Sequence, residues 1–209
     1  MDCCVIFCAG ELDTPVMPLG TGDLILAADG GYRHVCALGI RPHRILGDFD
    51  SLGYVPESAI CYPVEKDDTD AMLAARLGLE QGYDKFIFYG ALEGPRLDHT
   101  VANFQTLQFL ADRGARGYLP GKHQLVTVIK NGTLTFPATA KGDLSVFCMG
   151  AAARGVTLEG LQYTMADGTL EPGFPLGVSN HFTGQPARVT VTEGSLLVIY
   201  SRENGLYWE

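Results

Sequence analysis

Two stretches of this chain, Cys4–Ala9 (CVIFCA) and Leu24–Ala28 (LILAA), are apolar at every position. A strand with one wet face alternates polar with apolar residues. A strand-length run with no polar residue needs cover on both faces, as in a parallel sheet flanked by helices. DKFIFYGA (84–91) is a further buried strand of this kind. Between the runs lie helical patterns. Tyr32–Leu38 reads as a short helix closed by Gly39. A second begins near Thr69 and ends at Gly82, with Met72, Leu73, Leu77 and Leu79 as its apolar stripe. A third spans 98–114, with Val101, Phe104, Leu107 and Leu110 spaced by three and Gly114 at its end. Strand and helix in alternation predict an α/β domain with a mostly parallel sheet over 1–121. After Gly114 no helical period recurs. HQLVTVIKNGTLTF predicts a tight hairpin about Asn131-Gly132, and GDLSVFCMG, GVTLEGLQYTM, ARVTVTEG and SLLVIYS add short strands. Residues 122–209 therefore read as an all-β, sandwich-like domain. In it, 167–177 (DGTLEPGFPLG) reads as a loop because glycines and prolines interrupt any regular element.

Charge and cysteine content narrow the function classes. A formal net charge of −9 opposes a nucleic-acid partner. It leaves room for a nucleotide, whose phosphates a metal ion and one or two arginines neutralise locally. The longest apolar runs fall well short of a membrane span, and MDCCVIFCAGELD has neither a basic leader nor a signal-length core. The expectation is a cytoplasmic protein with no membrane association. Cys3, Cys4, Cys8, Cys36, Cys61 and Cys148 show no CxxC spacing, so buried reduced thiols are expected rather than a zinc site or disulfides.

The chemistry gathers just after the strands, where ligands bind in sheets of this type. In RILGDFDS (44–51), strand alternation places Asp48 and Asp50 on one face and Phe49 on the other. Two carboxylates so held suit a divalent cation, and Mg²⁺ is the expected one. KDDTD (66–70) opens the second helix. Asp68 or Thr69 caps it, Lys66 either meets a phosphate or pairs with Asp67, and Asp70 is a candidate third oxygen ligand beside Asp48 and Asp50. In GALEGPRLDHTVAN (90–103), Gly90 and Gly94 permit close approach of backbone to ligand, and Arg96 offers a forked donor set for phosphate. Asp98 reads as the cap of the third helix and a site residue at once, and His99 is a candidate general acid or base. There is no GxxxxGK[ST], no GxGxxG after a strand and no local signature of a nucleophile triad. A nucleotide would thus be held by metal-bound carboxylates, glycine loops and an arginine.

In this order and spacing, ADGG (28–31), GDFDS, KDDTDAMLA and GALEGPRLDHTVAN resemble the bacterial thiamine pyrophosphokinase (thiamine diphosphokinase) family. The likeness continues through GLQYTM and SNHF (179–182) and spans nearly the whole chain. It implies an N-terminal α/β catalytic domain that binds ATP and Mg²⁺ and a C-terminal β-sandwich for thiamine binding and dimerisation. Transfer of the pyrophosphoryl group of ATP to thiamine, releasing AMP, is the implied reaction, in a homodimer with active sites at the subunit interface. Carried over, Asp48, Asp50 and Asp70 would hold Mg²⁺ and the phosphates. Arg96 and Asp98 would belong to the ATP pocket, with Thr69 nearby, and Asp29 would line the shared site. Ser179 and Asn180 match the family's late Ser-Asn pair and imply a thiamine contact. Glu93 stands where the family commonly has glycine, and Tyr163 is the candidate aromatic partner of the thiamine ring. The competing readings are a pyrophosphokinase of another primary alcohol, such as a hydroxymethylpterin, a Mg²⁺-dependent phosphohydrolase, and a nucleotide sensor without turnover.

Overall fold

Strands β1 (Cys4–Phe7) and β2 (Leu24–Ala28) form where the unbroken apolar runs lie, and every residue of both is buried. In the computed structural model, which describes residues 2–13 and 15–208, the chain divides into two compact units. The first comprises Met1–Thr106 with Leu119–Lys122, and the second Leu107–Tyr118 with His123–Glu209.

In the first unit β1 pairs in parallel with β2 and with β5 (Lys85–Tyr89). β2 pairs in parallel with β3 (Arg44–Gly47), and β3 with the two-residue β4 (Ile60–Cys61). Helix α1 (Gly31–Ala37) ends at Leu38, and Gly39 follows at φ +65° in the left-handed position that closes helices. Helix α2 (Asp70–Glu80) starts from Thr69, whose hydroxyl accepts the Met72 amide. Thr69 rather than Asp68 is thus the cap. The buried face of α2 is made of Ala71, Ala74, Ala75 and Gly78, while the predicted stripe residues Met72, Leu73, Leu77 and Leu79 are only half-buried. Small side chains let the helix backbone settle directly on the sheet. A Cβ on Gly78 would come 2.5 Å from the Phe86 ring and 2.7 Å from the Cys4 sulfur. Helix α3 (Leu97–Ala111) buries Asn103, Thr106, Leu107 and Leu110, whereas Val101 is 49 % exposed. β6 (Arg116–Pro120) follows α3.

The second unit is built from antiparallel strand pairs. β7 (Gln124–Lys130) pairs with β14 (Ser195–Ser201), β14 with β9 (Asp143–Cys148), and β9 with β12 (Asn180–His181). A second set runs β8 (Thr133–Phe136), β13 (Ala187–Thr190), β10 (Ala153–Glu159) and β11 (Met165–Leu170). The expected hairpin about Asn131-Gly132 does not form, because β7 and β8 join different sheets. The turn reverses the chain, with Asn131 at φ +45°, yet it is pinned to Gly194 rather than closing a ladder. A turn signal specifies local reversal; the burial of β7 on both faces, over Leu125–Ile129, gives it a different partner. The segment 167–177 is likewise a loop only in part. Asp167 at φ +51° and two register shifts accommodate 167–170 at the end of β11. Leu134, Val146, Val156, Val189, Leu196 and Tyr200 contribute to a core shared by both sheets, and Phe136 meets the rings of Phe182, Tyr200 and Tyr207.

No disulfide links the six cysteines. Cys3, Cys4 and Cys8 are buried as expected, but Cys36 and Cys61 are exposed. No helix among the described residues is long and apolar enough to cross a membrane.

Candidate active site

Parallel pairing brings the ends of β2 and β3 side by side, with Ala28 opposite Leu46. The residues that follow, Asp29 and the 48–51 turn, are therefore neighbours, and the Asp29 amide donates to the Leu46 carbonyl at 2.8 Å. Asp48 and Asp50 do not alternate on a continuing strand. The strand stops at Gly47, and Phe49 adopts φ +62° with its ring buried. A left-handed non-glycine residue costs roughly 1–2 kcal/mol, offset here by burying the ring. The ring anchors the turn and leaves a carboxylate on either side.

Asp29, Asp48 and Asp50 form a group of three whose oxygens lie within 4.8 Å of one another. Asp29 is only 7 % exposed; its Oδ2 accepts the Ser51 hydroxyl at 2.5 Å, and its Oδ1 has no hydrogen-bond partner. A buried carboxylate oxygen left without a donor is costly. With two further carboxylates at hand, this all-oxygen donor set fits a hard divalent cation.

Asp70 does not join that group. Lys66 stands between it and the turn, with Nζ 2.6 Å from Asp48 Oδ2 and 3.0 Å from Asp70 Oδ1, the latter an ion pair without hydrogen-bond alignment. Lys66 thus pairs with Asp48 and Asp70 rather than with Asp67. Burial draws the Asp48 carboxyl upward, but the Lys66 and Asp50 hydrogen bonds outweigh it and hold the group below its ordinary value. Burial raises Asp70 above its ordinary value against the opposing pull of Lys66. Burial would depress the Lys66 ammonium, yet its two carboxylates hold it above the usual range.

A cavity of about 440 Å³ opens over these groups, with Cys8–Gly10 from the end of β1, Thr69 and Asp70 from the start of α2, and residues 90–103 around it. Burial, aided by the Asp70 charge, pushes the Cys8 thiol up to about 12, so it is an inert wall residue. Gly90 lines the cavity and also brings its backbone close to the neighbouring strand end. At φ +65°, its Cβ would lie 2.7 Å from the Cys8 carbonyl, and Gly90 accepts the Gly10 amide at 2.9 Å. Glu93 tethers this loop, its carboxylate accepting the Lys122 amide at 2.6 Å.

Arg96 and His99 both line the cavity. Asp98 is the second residue of α3, not its cap. Arg96 grips it with Nε at 2.9 Å from Oδ1 and Nη2 at 2.7 Å from Oδ2. The guanidinium holds the Asp98 carboxyl down to about 2. A phosphate recruited by Arg96 therefore meets a fork already facing a carboxylate. Sequence reasoning passed over Ser51 and Asn103. Asn103 is buried and donates to the Ala91 carbonyl at 2.7 Å, steadying the cavity wall. For Ser51 the signal was in plain view, the hydroxyl closing the GDFDS motif.

In the second unit Asn180 is 3 % exposed, and its amide is already engaged. Its Oδ1 accepts the Tyr163 amide at 2.9 Å and its Nδ2 donates to the Tyr163 carbonyl at 2.6 Å. The side chain imitates a strand partner and fixes the backbone of Tyr163, a residue left 60 % exposed. Ser179, at φ +59°, presents its amide to Ser145 Oγ at 3.1 Å. Asn180→Ala is expected to lose about 1–3 kcal/mol of stability, because the Tyr163 amide and carbonyl and the His181 amide lose a partner. Thermal unfolding of the variant measures this, and a wild-type midpoint would show that the clamp is dispensable.

Residues 19–119 match the family model described as thiamin pyrophosphokinase, catalytic domain, and residues 133–196 the one described as thiamin pyrophosphokinase, vitamin B1 binding domain. No curated protein matches the chain in sequence. Among solved structures, thiamine pyrophosphokinase from Bacillus subtilis superposes with a TM-score of 0.81 at 23 % identity, covering 96 % of this chain and 99 % of that one. Thiamin pyrophosphokinase from Geobacillus thermodenitrificans gives 0.77 at 26 % identity, with coverages of 96 % and 97 %. Thiamin pyrophosphokinase from Candida albicans retains 0.77 at 14 % identity, covering 96 % and 88 %. With two models of one family matched in order along most of its length, and a fold shared nearly end to end, the chain belongs to the thiamin pyrophosphokinase family.

Proposed function

We propose that the cavity of the first unit binds ATP and that its pyrophosphoryl group passes to thiamine, giving thiamine diphosphate and AMP. The thiamine hydroxyl oxygen bonds to the β-phosphorus, the bond from that phosphorus to the oxygen bridging it to the α-phosphorus breaks, and the hydroxyl proton is released. The observation that carries the reading is Asp29 Oδ1, buried and unpartnered beside Asp48 and Asp50. Asp29, Asp48 and Asp50 would hold Mg²⁺, which when bound supplies charge neutralisation at the phosphates. Lys66 and Asp70 extend this polar floor, Lys66 offering the phosphates an ammonium after the fashion of a point charge. Thr69 fixes the start of α2 and so the place of Asp70. Arg96, held by Asp98, faces the cavity, as does His99, the candidate general acid or base. Positioning and electrostatic stabilisation by these residues account for most of the catalysis expected of phosphoryl transfer.

The thiamine site is assigned to the part matching the vitamin B1 binding domain, where the exposed Tyr163 has a ring suited to stacking and Ser179 and Asn180 adjoin it. The division of labour is an α/β catalytic domain over 1–121 and a β-sandwich over 122–209, acting as a homodimer with active sites at the subunit interface. Dependence on ATP favours the cytoplasm. Product analysis with ATP, Mg²⁺ and thiamine tests the reaction: AMP and thiamine diphosphate are expected in equal amounts. Formation of ADP and thiamine monophosphate would overturn the pyrophosphoryl step, and ATP breakdown at the full rate without thiamine would favour a hydrolase.

A further inference from the structure

The carboxylate of Asp29 is controlled by one hydroxyl. Ser51 Oγ lies 2.5 Å from Oδ2, while Oδ1 has no partner. A hydroxyl with a single proton can satisfy one oxygen of a carboxylate and must leave the other. Ser51 is itself held from behind, because the Arg33 guanidinium donates to its carbonyl. Arg33 belongs to α1, which starts two residues after Asp29. The contacts close a ring: Asp29 leads into α1, α1 carries Arg33, Arg33 holds Ser51, and Ser51 holds Asp29. Gly30 packs directly against the hydroxyl, since a Cβ there would lie 2.8 Å from Ser51 Oγ.

We infer that Ser51 is a positioning residue for cation binding, fixing the Asp29 carboxylate by Oδ2 so that Oδ1 is presented to the metal together with Asp48 and Asp50. The inference rests on the reading of these three aspartates as the cation site and adds the group that orients the most buried of them. A carboxylate that must both be buried and keep one oxygen bare has two rotational choices about its terminal bond. The Ser51 hydrogen bond selects one before the cation arrives, so less ordering remains to be done on binding. Partners of this kind, one step removed from the ion, typically change metal affinity by about 10–100-fold when removed.

Mn²⁺ titration of the metal-free protein, read by electron paramagnetic resonance of the free ion, tests this without reference to turnover. Ser51→Ala is expected to weaken Mn²⁺ binding about tenfold, and Ser51→Thr, which keeps the hydroxyl, to restore it. In steady-state assays the Ser51→Ala loss should appear as a higher Mg²⁺ requirement with kcat at saturating Mg²⁺ nearly unchanged. Wild-type Mn²⁺ affinity in Ser51→Ala would overturn the inference. If the alanine variant does not fold, Ser51→Gly, which likewise removes the hydroxyl, takes its place; unchanged affinity there overturns the inference equally. Asp29→Asn separates the two readings. If it abolishes Mn²⁺ binding and Ser51→Ala does not weaken it, only the role of Ser51 falls. If Asp29→Asn binds Mn²⁺ as the wild type does, the cation site falls and the role of Ser51 with it.

Discussion

Asp50→Asn is expected to lower kcat/KM at least about a hundredfold, the scale on which a single group stabilising transition-state charge is felt, while leaving the fold intact. The two halves of the expectation come from different atoms. The carboxylate of Asp50 lies within 4.8 Å of those of Asp29 and Asp48 and is exposed to the cavity, so its removal strips one oxygen donor from the site. The contribution of Asp50 to the turn is through its backbone amide, which donates to Asp48 Oδ1 at 3.3 Å and persists in asparagine. Without metal, the substitution also removes one of three neighbouring negative charges, a change that relieves repulsion in the folded state. The metal-free variant should therefore unfold at or slightly above the wild-type temperature. Steady-state kinetics beside a thermal unfolding curve in a chelator measures both halves. Unchanged turnover would remove Asp50 from the cation site, and a collapsed unfolding midpoint would make its role structural.

Gly31→Ala is expected to cost about 3 kcal/mol of stability, the upper end of what overpacking a core ordinarily does. In most helices the same change is favourable by about 1 kcal/mol. Here the sign reverses because of what the methyl group would meet. It would lie 1.9 Å from the Phe7 carbonyl oxygen, 2.4 Å from the Phe7 carbonyl carbon and 2.9 Å from the Cys8 amide nitrogen. These are backbone atoms at the end of β1, which is paired on both sides, with β2 and with β5. No rotamer change relieves a clash with backbone, so α1 must lift away from the sheet or β1 must shift. Either movement disturbs Asp29, two residues upstream, so Mn²⁺ affinity should fall with stability. Chemical denaturation checks the first effect, and a wild-type midpoint would show that α1 has slack against β1.

Much of the fold was legible because it rests on local pattern. Unbroken apolar runs predict β1, β2 and β5, and the glycines at 39 and 82 mark helix ends that the structure places at φ +65° and +86°. What misled was pattern that depends on a partner. The apolar stripe of α2 named its large residues, yet Ala71, Ala74, Ala75 and Gly78 are the ones against the sheet. Leucines signal burial by their hydrophobicity, whereas alanine and glycine signal it only where two backbones are known to meet. The Asn-Gly turn at 131–132 was equally plain as a turn and equally silent about which sheet would take the strand after it.

The site divides along the same line. Asp48 and Asp50 were named from their spacing, and Lys66, Thr69, Asp70, Arg96 and His99 from motifs that come to line or adjoin one cavity. Which third carboxylate stands with the pair was decided by register. β2 and β3 pair with Ala28 opposite Leu46, which sets Asp29 beside the 48–51 turn, while Lys66 bridges Asp48 and Asp70. Residue types and their periodicity determined that this chain would build strands covered on both faces and follow them with carboxylates. Only the tertiary structure decided which carboxylates meet, that one oxygen of Asp29 is left bare, and that Ser51 takes the other. The reason is physical: periodicity reports the environment of each residue one at a time, whereas a binding site is a set of distances between residues that strand register alone brings together.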